Sequence, residues 1–278
     1  MAASLVPALM TAILLQTFSS RTIGVRVDVM VTDGRVPVAG LSAADFELRD
    51  NGVVQPVHLI ESSEPINAVL AFDVSASIDG RRHAELLRAS EAFLAGLTRG
   101  DRAALVTFRH DVALRLALTP DLDTVRAELA AVKPAGDTSV LDGVFVALMS
   151  TQAQPGRSLV VVCTDGYDTS SWLTADAVVD AAKRSNAVIY AVSAGDTVSS
   201  ELGDLADATG GQTIRVASGA ELASAFRRIL SDFRSRYVLA FTPNGVDPGG
   251  LHRLDVRVKR PGLSVKARQS YIGIGPGR

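Results

Sequence analysis

Asp73, Ser75 and Ser77 stand at two-residue spacing directly after the apolar run Ala68-Val-Leu-Ala-Phe72. Their side chains offer oxygen and nothing else. Oxygen donors without nitrogen or sulfur suit hard divalent cations, magnesium first, rather than zinc or copper. The run before them reads as a strand buried on both faces. An acid at the carboxyl end of such a strand lies where open α/β sheets place their ligand sites. The same residues also have a plainer reading as a strand-to-helix turn, with Ser77 or Asp79 capping the next helix. Two more stretches shift that balance. Gly136-Asp137-Thr138-Ser139 falls between two helical patterns, and Val160-Val-Val-Cys-Thr164-Asp165-Gly166 is a second buried strand ending in an acid.

These residues need a frame that alternates strands and helices, and the central region supplies one. Val69–Phe72, Ala103–Phe108, Ala113–Leu118, Leu159–Thr164, Val188–Ser193 and Gln212–Val216 read as six strands. Helical patterns lie between them. Arg81–Leu97 carries Leu86, Ser90, Phe93 and Leu97 on one face, and Leu122, Val125, Leu129 and Val132 mark the next. Ser139–Gln152, Thr174–Arg184, Ser200–Ala208 and Gly219–Phe233 follow, the last with Leu222, Phe226, Ile229 and Phe233 on one face. Gly210-Gly211 reads as a helix C-cap. Only Arg109–Val112 separates the second and third strands, too little for a parallel crossover, so that pair is antiparallel. The expected class is α/β, with a doubly wound, mainly parallel six-stranded sheet and one antiparallel edge strand.

Both ends of the chain have a different grammar. Val25, Val27, Val29 and Val31 alternate with Arg26, Asp28, Met30 and Thr32, and Asp33-Gly34 then turns the chain. Phe46–Arg49, the turn Asp50-Asn51-Gly52 and Val53–Ile60 read as a hairpin, with Pro56 making the second strand an edge. Past the helices come Tyr237–Thr242, the alternation Arg253–Lys259, the turn Pro261-Gly262 and the alternation Leu263–Arg268. An isolated hairpin is not stable in water, so these strands are expected to share one small β-lobe.

Asp-x-Ser-x-Ser, a loop Thr and a strand-terminal Asp-Gly, in this order and on these elements, resemble the von Willebrand factor type A (VWA) domain family. The resemblance implies a Rossmann-like fold and a metal-ion-dependent adhesion site built from Asp73, Ser75, Ser77, Thr138 and Asp165. Val27–Asp50, Tyr237–Pro243 and Arg257–Tyr271 resemble the ends of VWFA-related proteins of acidobacterial type. Residues 1–20 would then be a signal peptide or anchor, 65–235 the VWA domain, and 21–64 and 236–278 the two parts of the lobe. The implied cofactor is Mg²⁺, with Mn²⁺ or Ca²⁺ as alternatives, and the implied partner is a protein offering a carboxylate. Charge supports this: two carboxylates neutralise a divalent ion, and hydroxyls add ligands without adding charge. A neutral centre with one open position leaves the ion electrophilic toward an incoming acid. Asp137, Asp168 and Asp79 are near enough in sequence to support the site from behind, although Asp79 and Asp168 fit cap or turn positions better.

Composition excludes several other classes. With 28 basic and 30 acidic residues and a net charge of −2, nothing points to nucleic acid. No Gly-x-Ser-x-Gly elbow or Gly-rich phosphate loop is present. A phosphatase using an aspartate nucleophile would carry an acid where Ser75 stands. A metal-dependent hydrolase and a scaffold with an unused metal site remain the alternatives. The four histidines, His58, His83, His110 and His252, form no motif and read as surface or turn residues. The single cysteine, Cys163, lies within an apolar strand and reads as core. Met1–Phe18 is apolar and uncharged, which suggests export, with a secreted, periplasmic or envelope location and any membrane attachment through this segment.

Overall fold

The computed structural model describes residues 24–60, 63–78, 80–153, 155–195 and 199–273. Met1–Phe18 and Asp79 lie outside the described residues. In chain order the strands and helices are β1 (Val25–Asp33), β2 (Val36–Pro37), β3 (Phe46–Asp50), β4 (Val53–Gln55), β5 (His58–Ile60), β6 (Ile66–Asp73), α1 (Arg81–Leu94), β7 (Arg102–Phe108), β8 (Val112–Thr119), α2 (Leu122–Ala131) and α3 (Val140–Ser150). They continue with β9 (Arg157–Thr164), α4 (Ala175–Arg184), β10 (Val188–Ser193), α5 (Ser200–Ala208), β11 (Gln212–Arg215), α6 (Gly219–Arg234), β12 (Tyr237–Phe241), β13 (Gly250–Val258), β14 (Ser264–Lys266) and β15 (Ser270–Gly273).

The central sheet runs β11-β10-β9-β6-β7-β8. Its first five strands are parallel to their neighbours, and β8 runs antiparallel to β7. This is an α/β, Rossmann-like arrangement. Every residue of β6 and β9 is buried, as the apolar runs Ala68–Phe72 and Leu159–Cys163 at their centres lead one to expect. Side chains alternate across the sheet. Ala68, Leu70 and Phe72 face a core shared with α1, α2 and α6, while Val69 and Ala71 face α3, α4 and α5. Phe226 of α6 stacks on Phe72 with ring centroids 5.8 Å apart. From β6 the chain passes through α1 to β7 on one side and returns through α3 to β9 on the other. The crevice between the carboxyl ends of β6 and β9 is therefore the topological switch point, where such sheets bind ligands.

The terminal strands form two further sheets. One has the order β14-β1-β12-β5, with β2 also paired to β1, and the other has the order β15-β13-β3-β4. Strand β1 from the start of the chain lies between β12 and β14 from its end, all antiparallel. Both sheets bury side chains in one cluster that includes Val27, Val29, Phe46, Leu48, Leu239, Phe241 and Tyr271. Arg157 at the start of β9 reaches into this region and is 3% exposed. It donates to Asp28 of β1 and to the Phe233 carbonyl of α6, at 2.9 Å in each case, and stacks over the Phe233 ring.

Three local readings of the sequence need correction. Val53–Ile60 is not one strand. Pro56 interrupts it, β4 pairs with β3, and β5 pairs with β12 in the other sheet. The chain turns at Pro261-Gly262, but β13 pairs with β3 and β15 while β14 pairs with β1. A turn signal specifies reversal and not which partner a strand will find. His252 is not a surface residue: it is 1% exposed, with Nδ1 2.8 Å from Asp50 Oδ1, and Tyr271 donates to Asp50 Oδ2 at 2.7 Å. Its position in β13 shares the inward parity of Leu254, which decides its placement.

Candidate metal centre

Strand β6 ends at Asp73, and the chain then enters a short 3₁₀ turn over Ala76–Ile78 that carries Ser77. Asp73 Oδ1 accepts from the Ser75 amide at 2.8 Å, a local turn that fixes the Asp-x-Ser spacing. Asp73 Oδ2 accepts from Thr164 Oγ1 of β9 at 2.6 Å. Ser75 Oγ lies 3.0 Å from Ser77 Oγ, and Ser77 Oγ donates to Asp165 Oδ1 at 2.8 Å. Four of the five residues singled out in the sequence are thus joined in one hydrogen-bonded run across the switch point. Gly195, just after β10, permits this packing: a Cβ there would lie 2.2 Å from the Asp165 carbonyl oxygen.

Thr138 arrives on the loop before α3. Ala135 donates to the Val74 carbonyl at 2.9 Å, and Ala76 donates to that of Gly136 at 3.0 Å. These bonds hold the Thr138 loop against the Asp73–Ser77 segment. The loop after Asp165 holds it from the other side, since the Thr169 amide donates to the Thr138 carbonyl at 2.8 Å. Asp168 serves here as a remote cap, accepting from the Val140 amide at the start of α3 at 3.2 Å. Asp137 is exposed. Asp142 accepts from the Trp172 and Leu173 amides, both at 3.0 Å, and so pins a loop whose Trp172 is 92% exposed.

Exposure rises outward through the cluster. Asp73 is 0% exposed, Ser75 2% and Thr138 8%, while Ser77 is open to solvent. Burial pushes the Asp73 carboxyl above its ordinary range. Bonds from Ser75 and Thr164 pull it back in part, and the Asp165 charge adds to the rise. Cys163 is pushed up by burial and then by both carboxylates. Asp165 is paired with Arg82, whose guanidinium also reaches the Ser77 carbonyl at 3.4 Å.

The donor set fits a small hard cation. Octahedral coordination at ~2.0–2.1 Å sets neighbouring oxygens ~2.9 Å apart. The Ser75–Ser77 and Ser77–Asp165 oxygen pairs are 3.0 and 2.8 Å apart. Among the described residues no group of three or more His, Cys, Asp or Glu side chains is placed to hold a metal. The hydroxyls must therefore complete any set built on these two acids. Arg82, Thr164 and Thr169 escape a reading of the sequence. Thr164 offers one faint signal, a hydroxyl at the end of a buried strand directly before Asp165.

Comparisons with known proteins agree with the fold. The profile of the von Willebrand factor type A domain matches residues 67–228, more than half of the chain. Calcium-activated chloride channel regulator 1 of Bos taurus is 28% identical over 191 residues, covering 65% of this chain and 21% of the regulator. A von Willebrand factor type A structure from Catenulispora acidiphila superposes with a TM-score of 0.57 at 15% identity, covering 92% of this chain and 65% of that one. The mussel byssus protein PTMP1, solved with a zinc-occupied MIDAS motif, gives 0.55 at 15% identity over 66% of this chain and 49% of its own. The PilB minor pilin of Streptococcus sanguinis gives 0.54 at 15% identity over 63% of each chain. This chain thus spans less than two thirds of the regulator, of PTMP1 and of the pilin. The family profile spans more than half of the chain, including its central sheet, and this leads to one conclusion: the chain belongs to the von Willebrand factor type A domain family.

Proposed function

We propose that this protein is a non-enzymatic binding module that grips an acidic group of a protein partner through a divalent ion, magnesium first. Asp73, Ser75, Ser77, Thr138 and Asp165 would hold the ion, which supplies a Lewis-acidic position for one partner carboxylate. The observation that carries the reading is the oxygen-only cluster at the switch point, buried at Asp73 and open at Ser77. A non-enzymatic role is favoured because the Ser75 and Ser77 hydroxyls bond each other and Asp165, and neither meets a histidine or lysine base among the described residues. Tyr167 and Trp172, 57% and 92% exposed on the loop after Asp165, offer aromatic surface to the same partner.

The reading places the chain at the cell envelope, secreted or periplasmic, with residues 1–20 as export signal or anchor and the lobe of 21–64 and 236–278 flanking the VWA domain of 65–235. Two structural relatives support this through their names, a minor pilin and an aerotolerance-related membrane protein. Among the described residues no helix is long and apolar enough to cross a membrane. Pull-down from an envelope extract with magnesium, and again with chelator, tests the reading. Retention of a partner only with the ion supports it, and equal retention in both sinks it.

A further inference from the structure

We propose that Arg82 is a built-in competitor for the divalent ion: its guanidinium holds the Asp165 carboxylate, and loading of the centre requires that contact to open. The inference rests on the metal reading above and concerns a residue outside the five ligands.

The position of Arg82 is the first argument. It is the second residue of α1, whose first turn contains no acid and begins with Arg81 and Arg82. The positive end of a helix dipole disfavours cations there. Arg81 responds by lying in solvent, 87% exposed, with Glu85 at 3.4 Å. Arg82 instead crosses to Asp165, 83 residues away in sequence. A break of a local rule beside a ligand cluster is what a functional constraint produces.

The contact itself is the second argument. Asp165 Oδ1 accepts from Ser77 Oγ, a hydroxyl of the candidate ligand set, while Oδ2 takes Arg82 Nη1. One carboxylate, with its side chain 3% exposed, is shared between the ion site and an internal cation. Asp73 and Asp165 together carry two negative charges, and Arg82 cancels one of them. An incoming divalent ion therefore meets half the attraction that the two acids alone would exert. The guanidinium also has somewhere to go. A cleft of ≈ 100 Å³ beside the centre is lined by Asp73, Arg82, Glu85 and Cys163. Glu85, three residues further along α1, is a second carboxylate on a neighbouring part of the same helix face.

The test is calorimetric titration of the full chain with MnCl₂ and with MgCl₂, with melting midpoints recorded alongside. R82Q and R82M, which remove the charge, should each bind either ion about tenfold more tightly than wild type. R82K keeps the charge and should stay close to wild type. Unchanged affinity in R82Q and R82M together with a lowered melting midpoint would overturn the proposal, leaving Arg82 as a clamp on the start of α1 and the metal reading intact. Weaker binding in both would also overturn it, making Arg82 a group that positions Asp165. If neither wild type nor the charge-removing variants bind either ion, the metal reading itself fails, and the competitor role fails with it.

Discussion

Asp101, in the turn between α1 and β7, offers the sharpest test of how the site's frame is held. It is 6% exposed and accepts four hydrogen bonds. These come from the Ile66 amide at 2.8 Å, the Thr98 amide at 2.7 Å, Thr98 Oγ1 at 2.9 Å and Arg234 Nη2 at 2.7 Å. One carboxylate thus ties the start of β6, the end of the α1 connection and the end of α6. Burial pushes its pKa up, but the bonds from Ile66 and Thr98 and the Arg234 charge outweigh that and hold it below the ordinary 3.8. A carboxyl depressed in the folded state contributes stability above its unfolded pKa and loses it as pH falls through the folded value. Asp101→Asn keeps the volume but removes the charge and turns one acceptor into a donor. Bonds to a charged group contribute ~1.5–3 kcal/mol each, so the loss of one or two of them costs about 3 kcal/mol. For a chain of this size that lowers the melting midpoint by about 6–12 °C at pH 7. Thermal unfolding followed by circular dichroism down the acid range should show the gap between variant and wild type holding above about pH 5 and closing below the unfolded pKa. A gap under ~2 °C at pH 7, or one of unchanged width into acid, refutes the reasoning.

Removal of everything after Ser235 deletes β12 and β14, the two strands that flank β1, and the β13 partner of β3, leaving β1 only the two-residue β2. Size-exclusion chromatography should find this truncation aggregated, and a soluble, stable monomer would show that the terminal strands do not depend on one another. Arg157→Ala leaves Asp28, whose side chain is 12% exposed, without its cation and should cost about 3 kcal/mol by denaturant unfolding, the lower end expected for breaking a buried pair. A cost near zero would show that the ion pair contributes nothing to joining the lobe to the sheet. Gly195→Ala puts a methyl group 2.2 Å from the Asp165 carbonyl. It should weaken magnesium binding in calorimetric titration without altering any ligand, and unchanged affinity would mean that this close approach does not set the position of Asp165.

The strands that carry the site are legible because burial leaves a direct mark: the apolar runs Ala68–Phe72 in β6 and Leu159–Cys163 in β9 lead up to their acids. Asp73, Ser75 and Ser77 are legible because their spacing is set locally, by a turn in which Asp73 accepts from the Ser75 amide. Arg82 is not, since its partner lies 83 residues away and an arginine in a first helical turn reads as a solvated charge. Asp50 and His252 are 202 residues apart and look like a turn residue and a surface residue until the lobe assembles. The pairing of β13 and β14 with other strands is hidden for the same reason. Pro261-Gly262 reports a reversal of the chain, while the partners are chosen by the faces that must be buried.

The central claim is that these side chains form a divalent-ion centre, and thermal shift with magnesium on wild type and Asp73→Asn tests it most directly. Extracellular oxygen-ligand sites bind at roughly 10⁻⁴–10⁻³ M. At ~1 mM ion, mass action then adds about 0.4–1.4 kcal/mol to the wild type. That corresponds to a rise of roughly 1–6 °C in its midpoint. Asp73→Asn removes one of the two charges that balance the ion, and its midpoint should not move with magnesium. A wild-type midpoint that ignores magnesium, or an equal rise in wild type and Asp73→Asn, would contradict the account.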